Sequence, residues 1–168
     1  MESHKNKYIY IALAALGALL LLYSSYALIK DGSPTVKSLR EHLSKANAYH
    51  KDSLYDKAIE PYQRALNKDK SSALANYNSG TNLLMKNYKD LKAGTGDPET
   101  VAGVYADALA QLQKAASNET DKEMIASARH NEALVHHLTD SLEMAAEAYK
   151  ESLRKNPADN ETRHNLAV

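Results

Sequence analysis

With 21 basic and 21 acidic side chains in 168 residues, the chain has a formal net charge of zero, so no net field recruits nucleic acid or an acidic surface. It contains no Cys, which excludes disulfides, thiolate metal sites and a Cys nucleophile together. Phe and Trp are also absent, so aromatic packing rests on its 11 Tyr, and the length suits one modest domain plus a separate N-terminal element.

That N-terminal element, residues 1–30, differs from the rest. Residues 8–29 form a stretch of 22 without a charge, and residues 9–22 are almost purely Ile, Leu and Ala. As a helix it would be about 33 Å long, enough to cross a hydrocarbon core of roughly 30 Å. Tyr8, Tyr10, Tyr23 and Tyr26 lie near its ends, where amphipathic rings prefer the interface. Two readings stand side by side, a transmembrane anchor and a cleaved signal peptide. Lys5 and Lys7 form a positive n-region, and Ser25-Tyr26-Ala27 has the small residues of a cleavage site. Lys30, Lys37 and Arg40 follow on the other side, so a charge tally does not set the orientation, but the signal-like n-region favours export of everything after Lys30. The expected location is the bacterial inner membrane with the domain facing the periplasm, or the periplasm itself after cleavage.

Residues 31–37 read as a linker opening on Asp31-Gly32-Ser33-Pro34, and residues 38–168 as an all-α domain. Apolar residues there recur at helical spacing, the Pro residues are expected at helix starts or turns, and no stretch alternates like a strand. A repeat underlies the pattern. Ala46 and Gly80 are 34 residues apart, and so are Ala133 and Ala167. A second motif follows three of these units: Ala58, Tyr62 and Ala65, then Ala108, Leu112 and Ala115, then Ala145, Tyr149 and Ser152.

In these residues the chain resembles tetratricopeptide-repeat proteins, whose unit of about 34 residues is a helix–turn–helix. The resemblance implies a right-handed solenoid of antiparallel helix pairs, each pair leaning on the next because neither helix buries its apolar stripe alone. Repeat one would span 39–72, with Ala46, Tyr49, Ala58, Tyr62 and Ala65 as packing residues. Repeat two would span 73–122, with Gly80, Ala108, Leu112 and Ala115; repeat three would span 126–159, with Ala133, Ala145, Tyr149 and Pro157. His136 and Ser152 depart from the pattern, and His136 reads as a core substitute for an aromatic ring. Residues 160–168 open a fourth unit, and because a solenoid end needs a polar capping helix the chain is expected to be truncated there.

Repeat two carries an insertion near 89–104. From Gly80 to Ala108 is 28 residues where the repeat needs 12, so 16 are extra. Asp97-Pro98-Glu99 reads as an N-cap, a Pro at the first helical position and an acidic first turn, which predicts a long second helix from Pro98 to Ala116. The first helix is expected to reach Lys89 or beyond.

The phrases from Tyr149 to Pro157 and Glu161 to Ala167, with Asp52-Ser53-Leu54-Tyr55 and Asn76-Tyr77-Asn78-Ser79-Gly80, resemble the BatC-type tetratricopeptide proteins of Bacteroidetes aerotolerance operons. That resemblance implies export and membrane partners carrying von Willebrand A domains. The function expected is therefore non-catalytic: a protein–protein interaction scaffold, with no cofactor, nucleic acid or small-molecule substrate. Two alternatives stand beside it, a structural spacer with an inert groove and a metal-dependent enzyme using His130, His136 and His137. The His spacing matches no H-E-x-x-H or ligand-plus-carboxylate motif, which weighs against the enzyme.

The resemblance also implies where a partner binds, on the first helix of each repeat. Repeat one supplies Arg40, Leu43, Asn47, His50 and Lys51; repeat two supplies Leu74, Tyr77, Asn78, Thr81, Leu84 and Met85. Repeat three supplies Ser127, His130, Asn131, Leu134 and His137. Tyr, Leu and Met among Asn and His suit an extended or helical peptide. Asn47 and Asn78 match the two Asn with which some relatives clamp a C-terminal carboxylate, but Leu43, Ser127 and Asn131 stand where the basic partners belong. Finally, Asp52-Ser53-Leu54 and Asp140-Ser141-Leu142 resemble the Bacteroidetes O-glycosylation signal, making Ser53 and Ser141 candidate acceptors in turns where Asp and Ser are also ordinary.

Overall fold

The computed structural model describes residues 32–95 and 97–167. The apolar stretch 8–29 lies outside them, and no helix among the described residues is long and apolar enough to cross a membrane. The chain divides into two compact units, Met1–Ser38 and Leu39–Val168. In the first, the described part begins at Gly32, with φ of +76°, and Ser33, whose Oγ accepts from the Val36 amide. The expected linker 31–37 is therefore helical from Pro34, because a Ser cap followed by Pro at the first helical position starts a helix.

Among the described residues seven helices follow one another: α1 Pro34–Lys51, α2 Tyr55–Lys68, α3 Ala73–Ala93, α4 Pro98–Ser117, α5 Lys122–Leu138, α6 Leu142–Lys155 and α7 Asn160–Ala167. No strand occurs among the described residues. The starts are written in the sequence. Ser72 caps α3 by accepting from the Ala75 amide at 3.3 Å, and Asp97 caps α4 through the Thr100 amide at 3.0 Å. Asp121 caps α5 through the amides of Glu123 and Met124, and Asp159 caps α7 through those of Glu161 and Thr162. Each cap satisfies donors that a helix leaves open in its first turn. α3 ends on Gly94, left-handed at φ +67°, with its amide returning to Leu91 O and that of Thr95 to Asp90 O.

Pro61 corrects the sequence reading: it lies inside α2, not at a start or a turn. Its missing N–H removes one helical hydrogen bond, a cost on the order of 3 kcal/mol in an isolated helix. Here packing holds the helix on both sides of it, since Ala58, Pro61, Tyr62 and Ala65 are all buried. Pro157 is the second correction. It was expected to pack between repeats, but it is exposed in the turn between α6 and α7, where its fixed φ shapes the turn and covers nothing.

Consecutive helices pack throughout, α2 on α3, α3 on α4, α4 on α5, α5 on α6 and α6 on α7, with a further contact of α3 on α5. The core forms at each junction from small residues opposite large ones. Leu43 and Ala46 of α1 meet Ala58, Tyr62 and Ala65 of α2, with Ala75 of α3 closing the cluster and Leu39, Tyr49 and Leu66 packed against it. Leu84 of α3 meets Tyr105, Ala108 and Leu112 of α4 and Val135 of α5; Ala115 and Ala116 meet Ala128. Ala133 of α5 meets Ala145, Ala148 and Tyr149 of α6, with Leu166 of α7 alongside.

Gly80 shows why a small residue stands at such a contact. A Cβ placed there would lie 2.8 Å from Leu112 Cγ and 3.1 Å from the Ala108 carbonyl oxygen. Ser152, which departs from the repeat pattern, is fully buried and donates from Oγ to Ala126 O at 2.8 Å, so its hydroxyl is satisfied by the neighbouring helix. His136 is buried in α5.

Where an insertion near 89–104 was expected, α3 runs on to Ala93 and α4 starts at Pro98. Lys89 ties this part of α3 to the turn between α1 and α2, donating to Ser53 O at 3.3 Å with its ammonium 5.7 Å from the Tyr55 ring centroid. One turn earlier, Lys86 bridges Asp90 at 2.6 Å and Asp56 of α2 at 3.4 Å. Its hydrogen bond to Asp90 raises the Lys86 pKa above the ordinary ammonium value against the opposing effect of burial.

Candidate functional site: the face built by α1, α3, α5 and α7

The groove residues expected from sequence divide into three groups. The first is a set of hydrogen bonds running from repeat to repeat. Asn47 Oδ1 accepts from the Tyr62 hydroxyl at 2.8 Å and from Asn78 Nδ2 at 3.0 Å, which joins α1, α2 and α3 at one atom. Burial pushes the Tyr62 phenol up to about 12, so it remains a donor across the accessible pH range. His50 Nδ1 lies 3.0 Å from Asn82 Oδ1, and Asn82 Nδ2 donates to Tyr55 O at 3.0 Å. The amide thus turns its oxygen toward His50, whose Nδ1 must carry the proton. Asn131 Nδ2 donates to Thr81 Oγ1 at 2.9 Å, joining α5 to α3.

The rung between α5 and α7 is the most connected. Thr162, fully buried, donates its single hydroxyl proton to Asp159 Oδ2 at 2.6 Å. Its oxygen is then left to accept from His130 Nδ1 at 2.6 Å, which fixes the His130 tautomer. The Thr162 hydroxyl is the main reason the Asp159 carboxyl is held below the usual carboxylate range. His130 also stands edge-on to the Tyr149 ring at 5.7 Å between centroids.

The second group faces solvent without forming a site. Arg40, Lys51 and Leu74 are exposed, and Ser127 is exposed with its Oγ donating back to Glu123 O. Leu43 belongs elsewhere. At 6% exposure it lies in the core between α1 and α2, so a partner cannot reach it. Tyr77 is half-buried against two core clusters and borders a small cavity of about 280 Å³ beside Asn47 and Asn78.

The third group forms an open cleft of about 380 Å³ between α3, α5 and α7. Leu84, Met85 and Tyr88 of α3 make one wall, and Leu134, His137 and Leu138 of α5 the other. Tyr149 of α6 forms part of the lining, and α7 contributes Glu161 and Asn165. A second cavity of about 340 Å³ shares His137, Tyr149 and Asn165 with the first and continues to Leu142, Ala145, Ala146 and Leu166. Burial raises the Tyr149 pKa, and the Asn165 side chain beside it lowers it in part. Met85, Tyr88 and Leu138, 37%, 47% and 39% exposed, edge the cleft, and Leu142, 56% exposed, edges the adjoining cavity, so four of the large apolar side chains left in water among the described residues border this pair.

Tyr88, Tyr149, Glu161 and Asn165 were missed as site residues. Tyr88 had a signal, since Leu84, Tyr88 and Leu91 stand at helical spacing on one face of the extended helix. Glu161 and Asn165 gave none, because their role depends on where α7 docks. The His residues proposed as metal ligands stand in three environments: His130 on Thr162, His136 in the core and His137 at the cleft. Among the described residues no group of three His, Asp or Glu side chains is placed to hold a metal ion.

The candidate O-glycosylation sites occupy neighbouring, not equivalent, positions. Ser53 is the left-handed residue of its turn, at φ +57°, whereas in the other turn Asp140 takes that conformation and Ser141 follows as the residue before α6.

No protein-family model matches this chain, and no curated protein matches it. Solved structures do. The first TPR domain of Spaghetti (RPAP3) bound to the HSP90 peptide SRMEEVD is similar at a TM-score of 0.61 and 18% identity, covering 78% of this chain and 89% of that one. The second TPR domain of human RPAP3, in complex with the HSP70 peptide SGPTIEEVD, gives 0.65 and 16%, covering 79% and 95%. MamA gives 0.60 and 21%, covering 84% and 70%. These likenesses define the class by its fold: an all-helical tetratricopeptide-repeat solenoid.

Proposed function

We propose that this chain is a non-catalytic interaction scaffold that grips a segment of a partner protein in the cleft between α3, α5 and α7. The observation that carries the reading is the grouping of Met85, Tyr88, Leu138 and Leu142, exposed yet gathered around two adjoining cavities that share His137 and Asn165. Such a site offers apolar anchors their pockets and the peptide backbone its hydrogen bonds. The RPAP3 domains, whose peptides end in Glu-Glu-Val-Asp, lend the fold a precedent for peptide binding. A carboxylate clamp of that kind is not proposed here. Asn47 and Asn78 bond each other, and buried Leu43 stands where a basic partner belongs.

The same proposal takes the scaffold to be exported and held at the bacterial inner membrane through residues 8–29, or released to the periplasm by cleavage. Its partners would be membrane proteins with von Willebrand A domains, in an aerotolerance-type complex. The apolar N-terminal run and the BatC-like phrases support this part. Ser53 and Ser141 would then be open to O-glycosylation, which intact-mass measurement on protein from the native host detects. The inert-spacer reading draws support from the repeat-to-repeat hydrogen bonds, which already engage Asn47, His50, Asn78, Thr81 and Asn131.

One experiment separates scaffold from spacer. Tyr77 and Leu84 are packed in the core clusters, so charging them would unfold the protein. Met85→Glu with Tyr88→Glu places charge on exposed positions and should abolish co-purification of the partner while leaving the helical circular dichroism unchanged. Undiminished co-purification would exclude this cleft as the binding site.

A further inference from the structure

The cleft carries a charge as well as an apolar surface. Among the described side chains lining its two cavities there is one carboxylate, Glu161, and no Lys or Arg. Glu161 stands in the first turn of α7, with its side chain 76% exposed. Among the described residues its side chain meets one ion-pair partner, His130 Nε2 at 3.9 Å, too long for a hydrogen bond, and His130 already spends Nδ1 on Thr162. The other charged groups of α7 and its cap are engaged away from the cleft: Arg163 bonds Asn160, and Asp159 bonds Thr162. Of the Lys residues on α3, Lys86 is paired with Asp90 and Asp56, Lys89 donates to Ser53 O, and Lys92 is exposed in the last turn and does not line the cavities. A carboxylate that no described Lys or Arg neutralises, at the rim of an apolar trough, favours cations and repels anions.

We infer that the cleft selects a peptide segment in which bulky apolar side chains are flanked by Lys or Arg, with Glu161 receiving the cation. This rests on the reading of the cleft as a peptide groove and adds the chemistry of the occupant. The apolar side chains enter between Met85, Tyr88 and Leu138, and the second cavity toward Leu142 accepts a further one past the His137–Asn165 divide. The partner is opposite in sign to the acidic peptides held by the RPAP3 domains.

The test uses the full chain and three fluorescein-labelled synthetic peptides that share a Leu- and Tyr-bearing centre and differ only in flanking Arg, Gln or Glu. Anisotropy should show the Arg peptide binding about threefold to tenfold more tightly than the Glu peptide, the range of one rim ion pair gained and one repulsion lost. The gap should narrow as salt is raised. Glu161→Gln should remove the preference, and Glu161→Lys should reverse it. Hydrogen exchange over α7 confirms in each variant that the helix stays docked. Equal affinity for the three peptides, with Met85→Glu weakening all of them, would overturn the charge selection and leave the peptide groove standing. Failure of every peptide to bind, or binding indifferent to Met85→Glu, would overturn both. Self-association abolished by Met85→Glu would assign the cleft to a second copy of the chain and count against the inference.

Discussion

Gly80→Ala adds one methyl group at the α3–α4 contact, and two opposing effects decide its outcome. Gly in a helix interior is about 1 kcal/mol less favourable than Ala, so backbone propensity alone would make the variant more stable. Packing acts the other way. The new Cβ would lie 2.8 Å from Leu112 Cγ, 3.1 Å from the Ala108 carbonyl and 3.2 Å from Gln111 Cβ. Leu112 is fully buried and Ala108 O is backbone, so neither yields without moving α4 as a whole. Forcing an extra methyl group into such a contact costs about 1–3 kcal/mol. The net expectation is a loss of between nearly zero and about 2 kcal/mol. Gly103→Ala supplies the reference, because it lies within α4 with no atom within 4 Å of the added Cβ. It should gain up to about 1 kcal/mol. The propensity gain is common to the two variants, so their difference isolates the packing cost, expected at about 1–3 kcal/mol. Urea unfolding followed by circular dichroism measures both. Equal stabilisation by the two substitutions would refute the claim that Gly80 is small because α4 stands against it.

Three further outcomes are expected. Ala58→Arg forces a long charged side chain into a fully buried position and should unfold repeat one, seen as lost exchange protection across α1 and α2. Asp159→Ala removes the cap of α7 and the acceptor for Thr162, at a cost of about 0.5–2 kcal/mol, and should free the segment 160–167 to exchange while the core of α5 and α6 stays protected. Because the Asp159 carboxyl titrates below its unfolded value, its contribution is complete above that value and is lost as pH falls through the folded one. Acid below about pH 4 should therefore loosen α7 in the native protein, and the Asp159→Ala variant should lack that response. Ser53→Gly relieves a left-handed conformation at φ +57° and should raise the unfolding midpoint; Asp140→Gly should raise it less, since Asp tolerates that region better than Ser.

Much of the fold was legible because its determinants are local or periodic. The spacing of Ala46, Ala58, Tyr62 and Ala65 and its recurrence marked the helix pairs. Asp97-Pro98 and Gly94 marked the two ends of the insertion's turn, since capping and left-handed turns are chemistry of adjacent residues. Pro61 was misplaced for the complementary reason: a local rule forbids it in a helix interior, and burial from neighbouring helices overrides the rule.

The site was legible only as a face. Repeat position put Asn47, Asn78, Thr81, Asn131 and His137 on one surface, but could not tell which would spend their hydrogen bonds on the next repeat and which would stay free for a partner. That distinction depends on the separation of consecutive helices, which places Asn78 3.0 Å from Asn47 and sinks Leu43 into the core. The cleft is a tertiary object throughout. Its walls come from α3, α5 and α7, its lining includes a tyrosine on α6, and its carboxylate lies on a helix of eight residues. A helix that short is marginal in water by its own propensity. It is held here by its local cap, Asp159, and by His130, which lies 32 positions from Thr162 in sequence and which only packing brings within 2.6 Å of it.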